Sequence, residues 1–339
     1  MILDKKIVII NNEKISQNGN DFYCDNFDMK SIPDGINEIF STTLIARKSI
    51  SKKSHRINLK KVNICSNIFK FLSNIFKTFK NKETNYLLIS ITPYTFAAYL
   101  LLFIFRKKTF LYLRSSGHEE YKAIFGFIGP LIYHFMYIIV TLKCEIIVCQ
   151  KRLFNKKKVH LVFPSLLNSK WKANITKPLL DKPRLLYVGR IKIEKGIYSF
   201  IKIFEKLDIK ADLSVVGEKE NLNVNSIKIN FLGYGFDPES LIKIYDNHNI
   251  LILPSFTEAY PKVVNESLSR GRPVIIFEEI KHIIDNREGI FVSKRNSKSL
   301  NETINFVMSN YLTIQKNMLK NNLPTEQGFI SQINNILSS

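Results

Sequence analysis

After residue 183 the chain alternates short apolar runs with stretches of helical spacing, and few folds accept that alternation. Residues 184–188, 213–216, 227–232, 250–253 and 274–277 read as strands. Residues 197–207, 241–245 and 263–268 carry apolar side chains at helical spacing between them. Strands interleaved with helices of this length predict a parallel, doubly wound α/β sheet. Two of the strands end at glycine, Gly217 and Gly233.

The chain has 339 residues, and two domains of roughly 150 are the expectation for that length. A polar, proline-bearing stretch at residues 168–183 separates them. The first domain is placed at residues 1–170, the second at 171–323, and a terminal helix at 324–339. Before the divide, residues 7–10, 87–91, 110–113 and 145–149 look like strands with helical segments between them. A second Rossmann-like domain is therefore expected there.

Fifty Lys and Arg stand against 29 Asp and Glu, a formal net charge of +21. That surplus favours an anionic partner. Residues 47–82 contain eleven Lys or Arg and no acid. Within them, apolar positions 68, 72, 75 and 79 share one helical face, and Lys70 and Lys77 share another. This is the pattern of a basic amphipathic helix that can lie on an anionic bilayer or pack its apolar side on a sheet. Lys151, Arg152, Lys156, Lys157 and Lys158 form a second basic cluster. No nucleic-acid motif accompanies the charge, so a nucleic-acid partner is not expected.

Residues 94–105 fall short of the ~20 apolar residues needed to span a bilayer. Residues 125–142 are longer and carry no formal charge, but contain Gly126, Gly129 and Pro130. They read as a buried or interfacial helix, with His134 as a core residue. The first ten residues hold an early acid and a short apolar run, and read as a strand rather than a signal peptide. Cys24, Cys65, Cys144 and Cys149 form no C-x-x-C pair. Buried free thiols in a reducing compartment are expected, and no metal site.

The chemistry concentrates in residues 254–266. Glu258 and Glu266 stand there with seven residues between them. The strand at 250–253 leads in, and a helix starting near Pro261 follows. Ligands of open α/β sheets bind at the carboxyl ends of the strands. Two acids there suit a ligand rich in hydroxyls, such as a sugar and a ribose. Gly189-Arg190 closes the strand at 184–188, and Lys195-Gly196 opens the next helix. Both cations then lie beside a helix N-terminus, a location that favours phosphate.

Residues 186–190, Lys195-Gly196, Glu258-x7-Glu266 and residues 269–275 together resemble the group 1 (family-4) retaining glycosyltransferases of GT-B fold. The match is best over residues 184–295. The resemblance implies an α/β fold of two Rossmann-like, doubly wound domains facing across a cleft, with the last helix crossing back to the first domain. It implies that Gly189, Arg190 and Lys195 hold the diphosphate of a nucleotide-sugar donor and stabilise the leaving nucleotide without a metal or other cofactor. Glu266 would bind ribose hydroxyls and Glu258 sugar hydroxyls. Backbone N–H groups near Ala259, Tyr260, Pro261 and Val263 would support sugar or phosphate, and Gly233 and Tyr234 would lie near the base. His118, in the segment after the strand at 110–113, resembles the histidine that faces the donor sugar from the first domain.

The sequence departs from that family in three places. Ala259-Tyr260-Pro261 stands where Gly-Phe-Pro is usual. Residues 278–282 replace a glycine pair. The glycine-rich loop after the first strand is reduced to Asn18-Gly19-Asn20.

The activity expected is transfer of a sugar from a nucleotide-sugar to an acceptor hydroxyl, with retention. The acceptor would be a glycan or lipid-linked precursor of a surface polysaccharide or lipopolysaccharide, met at the inner face of the cytoplasmic membrane. A GT-B sugar-nucleotide epimerase and a basic membrane- or nucleic-acid-binding module without catalysis are the alternatives.

Overall fold

The computed structural model describes residues 3–80, 83–154, 158–218 and 228–339. Lys156 and Lys157 of the second basic cluster lie outside the described residues. The chain forms two compact units, one of residues 1–163 with 327–339 and one of residues 164–326.

In the first unit the elements are β1 (Leu3–Asn18), β2 (Asp21–Cys24), α1 (Asp28–Asn37), β3 (Phe40–Lys48), β4 (His55–Ile57), β5 (Val62–Cys65) and α2 (Ile68–Lys77). They continue as β6 (Thr84–Ile89), α3 (Pro93–Ile104), β7 (Thr109–Leu113), α4 (Gly117–Phe125), α5 (Gly129–Thr141), β8 (Glu145–Val148) and β9 (His160–Leu161). The parallel strands stand in the order β5-β3-β1-β6-β7-β8-β9. All six residues of β6 are buried, as a strand covered by helices on both faces requires.

β1 overturns the expectation of a short strand with a reduced glycine loop after it. It runs eight residues beyond Ile10 and turns back through Gly19-Asn20, pairing Asn18 with Asp21 of antiparallel β2. Gly19, at φ +59°, supplies the left-handed residue that such a tight hairpin needs. Asn18-Gly19-Asn20 is thus a hairpin turn and not a loop between strand and helix.

α2 packs one apolar side on the sheet, one of the two compatible readings of its pattern. Phe71 and Ile75 are buried in the unit's core, and Ile68, Leu72 and Phe79 pack against it. That apolar face lies on the sheet, and only Phe69 and Phe76 remain exposed among its large apolar side chains. Residues 125–142 break at Gly126, whose φ is +64°, so they form the end of α4, a short turn and α5. His134 is exposed rather than in the core.

The second unit contains α6 (Ser169–Lys172), β10 (Arg184–Val188), α7 (Ile197–Phe204), β11 (Asp212–Val216), β12 (Ile229–Gly233), α8 (Pro238–Asp246), β13 (Ile250–Leu253) and α9 (Lys262–Ser269). β14 (Val274–Phe277), β15 (Ile290–Ser293), α10 (Ser297–Ser309) and α11 (Tyr311–Met318) follow, and α12 (Glu326–Ser338) returns the chain to the first unit. Its six strands are all parallel, in the order β12-β11-β10-β13-β14-β15. That is the winding 3-2-1-4-5-6 of a doubly wound sheet, with its switch point between β10 and β13.

The change of unit falls at Phe163–Pro164, a few residues before the position read from sequence. Leu167 and Trp171 belong to the second unit's core, so the polar stretch after them is anchored rather than free. Arg270 and Arg272 hold it down by donating to the carbonyls of Trp171, Ala173, Asn174 and Thr176.

Candidate functional site

The switch point of the second unit sets β10 beside β13, and the chain leaving each strand carries the expected residues. β10 ends at Val188. Gly189 then donates its N–H to Val216 O at 3.0 Å. At Gly217, a Cβ would stand 2.3 Å from Gly189 O, so the two strand ends approach more closely than a side chain permits. The Tyr187 hydroxyl donates to Arg190 O at 2.7 Å and holds that turn. The Arg190 side chain is 65% exposed, with Glu194 4.0 Å away. A solvated guanidinium at a strand end is free to meet an incoming anion.

Residues 193–195 form a single tight turn that ends in Gly196, at φ +67°. A Cβ at Gly196 would lie 1.9 Å from Pro254 O. The backbone opening α7 is therefore pressed against the segment leaving β13, and Phe256 N donates to Glu194 O at 3.0 Å. Gly196→Ala is expected to cost about 1–3 kcal/mol of stability from the strained dihedral alone. It also pushes residues 254–258 outward. Urea unfolding of the variant, with donor binding measured beside it, checks both effects.

That contact brings Lys195 to Glu258. The ammonium lies 2.6 Å from Glu258 Oε1, and the side chains are 21% and 11% exposed. Ser255 Oγ donates to the same oxygen at 2.7 Å. His282 Nε2 meets Glu258 O at 2.8 Å and ties the loop backbone from the other side. Ala259 is buried, and the ring of Tyr260 lies under the Arg287 guanidinium at 5.4 Å. Asn265 Nδ2 donates to the Tyr260 hydroxyl at 3.4 Å. Pro261 caps α9, and Val263 packs on the core.

Glu266 is on α9, one turn beyond the segment that carries Glu258. It is 5% exposed, and its Oε2 accepts from the Tyr245 hydroxyl at 2.9 Å. Burial pushes its carboxyl above the usual carboxylate range, and the Tyr245 hydroxyl offsets part of that. Gly233 ends β12, two strands from β10, and Tyr234 follows it and is exposed.

Residues 278–283 form two short helical turns kinked at Ile280 in place of the family's glycine pair. Glu279, in the first of them, pairs with Arg295 at 2.6 Å. Arg295, which the sequence reading passed over, donates to Pro254 O at 3.0 Å. Its guanidinium lies 4.2 Å and 4.4 Å from the ring centres of Phe256 and Phe277. Its Nη1 is buried with no hydrogen-bond partner among the described residues. The one local signal was its position just past β15, a strand the apolar runs had not revealed.

His118 lies in the first unit, in the first turn of α4 at the carboxyl end of β7. Its Nε2 is 3.2 Å from Nδ1 of His134, and its ring stands edge-on to Tyr133 at 4.7 Å. Burial, then His134, lowers its pKa below the usual histidine value. That shift favours the neutral imidazole, in which one ring nitrogen donates and the other accepts. Among the described residues no group of three or more His, Cys, Asp or Glu stands close enough to hold a metal ion.

Residues 168–324 match the family model described as glycosyl transferases group 1. A relative from Campylobacter jejuni is the N,N'-diacetylbacillosaminyl-diphospho-undecaprenol alpha-1,3-N-acetylgalactosaminyltransferase, 26% identical over 241 residues. The alignment covers 65% of this chain and 62% of that relative's length. Among solved structures, sucrose-phosphate synthase from Thermosynechococcus elongatus aligns with a TM-score of 0.71 at 15% identity, over 98% of each chain. HepE from Anabaena, in complex with UDP and glucose, aligns with a TM-score of 0.72 at 12% identity, over 98% of this chain and 99% of that one. The fold is that of GT-B, as the sequence motifs led us to expect.

Proposed function

We propose that this chain, whose residues 168–324 belong to the group 1 glycosyl transferases, moves a sugar from a nucleotide-sugar donor to an acceptor hydroxyl. The observation that carries the reading is the Lys195–Glu258 pair at the switch point, with the exposed Arg190 on the neighbouring turn. A sugar diphosphate needs cations for its phosphates and an acceptor of hydrogen bonds for its hydroxyls. The pair offers one of each, and Arg190 a second cation.

In this reading the diphosphate lies against Arg190 and Lys195, next to the start of α7. The donor's C1–O bond breaks and the charge that develops on the leaving diphosphate is stabilised by those two cations, with no metal required. The acceptor oxygen bonds to C1 on the face that the diphosphate leaves, so configuration is retained. Its proton passes to a departing phosphate oxygen. Glu258 orients sugar hydroxyls, His118 accepts from another, and Glu266 binds ribose hydroxyls. The Campylobacter relative is named for an undecaprenol-diphosphate acceptor. That supports a lipid-linked glycan as acceptor here, in surface polysaccharide or lipopolysaccharide synthesis. It also supports a peripheral position on the inner face of the cytoplasmic membrane.

The test is a melting-temperature panel of UDP-, GDP-, ADP- and CMP-sugars on wild type and Glu266→Gln. One base class is expected to stabilise the wild type, by about 2.7 kcal/mol at a hundredfold excess over Kd. Glu266→Gln is expected to melt near the wild-type temperature and to lose most of that stabilisation. A wild type that none of the four classes stabilises would refute the reading.

A further inference from the structure

α5 carries two apolar stripes, and the fold uses one of them. Tyr133, Met136 and Val140 face the core and are buried. Leu131, Phe135 and Ile138, with Ile128 and Leu142 just beyond the two helix ends, are spaced three and four apart, face outward and are 48–68% exposed. On a helix packed at a protein surface, that outer stripe is ordinarily polar. Phe127, in the turn before α5, is 84% exposed.

The surface does not stop there. Phe135 meets Phe96 of α3, ring centres 6.2 Å apart. The last turns of α3 expose Leu100, Phe103 and Ile104. Phe105, just past α3, meets Phe76 of α2 at 5.3 Å. An apolar surface thus continues across three helices on one side of the sheet, well beyond the scattered single residues that need no explanation.

Cations gather where this surface reaches the amino edge of the sheet. In a parallel sheet every helix-to-strand connection lies at that edge. The connections into β7 and β8 carry Arg106, Lys107 and Lys143, which line a groove of about 550 Å³ together with Phe103 and Ile104. Lys6, Lys60, Lys61 and Lys77 line a second groove at the same edge, with no carboxylate among its lining residues. Glu83 and Glu145 are nearby acids, and Glu145 is taken up by Lys108 at 3.2 Å.

We infer that the outer stripe of α5, with the end of α3, seats in the headgroup and upper acyl region of an anionic bilayer, and that the amino-edge cations meet the lipid phosphates. This deepens the membrane part of the proposed function by naming the face that touches lipid. An apolar stripe and a cationic rim are the two properties of an interfacial helix. At 13 residues α5 is about 20 Å long, less than the ~30 Å hydrocarbon core. No helix among the described residues is long and apolar enough to cross a membrane. The stripe therefore lies in the interface.

The full chain is floated with phosphatidylcholine vesicles, with and without phosphatidylglycerol. Wild type is expected to float with the anionic vesicles and to be released by salt. Leu131→Ser with Phe135→Ser is expected to lower the partition by at least about tenfold. The same variant should keep the melting profile and donor stabilisation of wild type. As an independent reading, Phe127→Trp should shift its emission to the blue and be quenched by brominated acyl chains, whereas Trp171, buried in the second unit, should not respond. Wild type that stays with the soluble fraction, or a double variant that floats as well as wild type, would overturn the inference. So would a wild-type dimer in sedimentation that the double variant converts to monomer, since a second copy would then be the occupant. Vesicle binding without donor stabilisation would leave this face intact and remove the transferase reading instead.

Discussion

Arg270→Ala is expected to destabilise the second unit by about 3–5 kcal/mol, the cost of leaving a buried charge without its partner. Arg270 is 1% exposed, and all five of its N–H groups find acceptors. Nε and Nη2 take the two oxygens of Asp246 at 2.9 and 2.7 Å. Nη1 donates to Trp171 O and Ala173 O at 3.0 and 2.7 Å, and Nη2 to Asn174 O at 3.0 Å. Truncation leaves Asp246 facing Arg272, 3.7 Å away, as its one cation among the described residues, and releases three carbonyls of the segment entering the unit. Arg270→Lys keeps the charge but loses the planar fork, so it should recover only part of the loss. Urea unfolding of the full chain measures both. A change within about 0.5 kcal/mol for the alanine variant, the range of an ordinary surface substitution, would show that the clamp contributes little.

Lys195→Ala carries the largest expected loss of activity, a fall in kcat of about 10²–10³ with the matched donor. Two effects combine. The cation that meets the leaving phosphate is gone, and that contact strengthens as the C1–O bond breaks. Glu258, 11% exposed, loses its ion partner and keeps the Ser255 hydrogen bond to Oε1. The two roles separate in a double-mutant cycle with Glu258→Gln. If Lys195 serves only to hold Glu258, the second substitution adds nothing to the first. If it meets phosphate, Lys195→Ala reduces the rate in the Glu258→Gln background as well. A Lys195→Ala enzyme that keeps wild-type kcat and donor affinity would remove Lys195 from the site.

Much of the second unit was legible because its strands are buried runs bounded by local turn signals. Residues 184–188, 250–253 and 274–277 form strands at the bounds read from their apolar side chains. The first unit was less legible. Polar Asn11, Asn12, Glu13 and Lys14 interrupt the apolar pattern of β1, so the strand looked finished at Ile10. β15 was missed because Phe291 and Val292 are only partly buried or exposed, which leaves a short and broken signal. The face of α2 was legible as apolar but not as to what it covers. On α5 both stripes are apolar, and a periodicity contrasts nothing when both sides are alike.

Local chemistry in the sequence determined where the chain turns and which side chains stand at the strand ends. Gly189, Lys195, Gly196 and Glu258 could be placed there because strand burial and the dihedral demands of a tight turn act over a few residues. Only the tertiary structure decided which of them meet. Lys195 and Glu258 are 63 residues apart and are joined because β13 lies next to β10, an adjacency that no local pattern encodes. The same winding turned Glu266 toward Tyr245 and gathered cations from separate connections at one edge. Strand order is set by how whole helices cover the sheet, and that is a property of the packed core rather than of any segment.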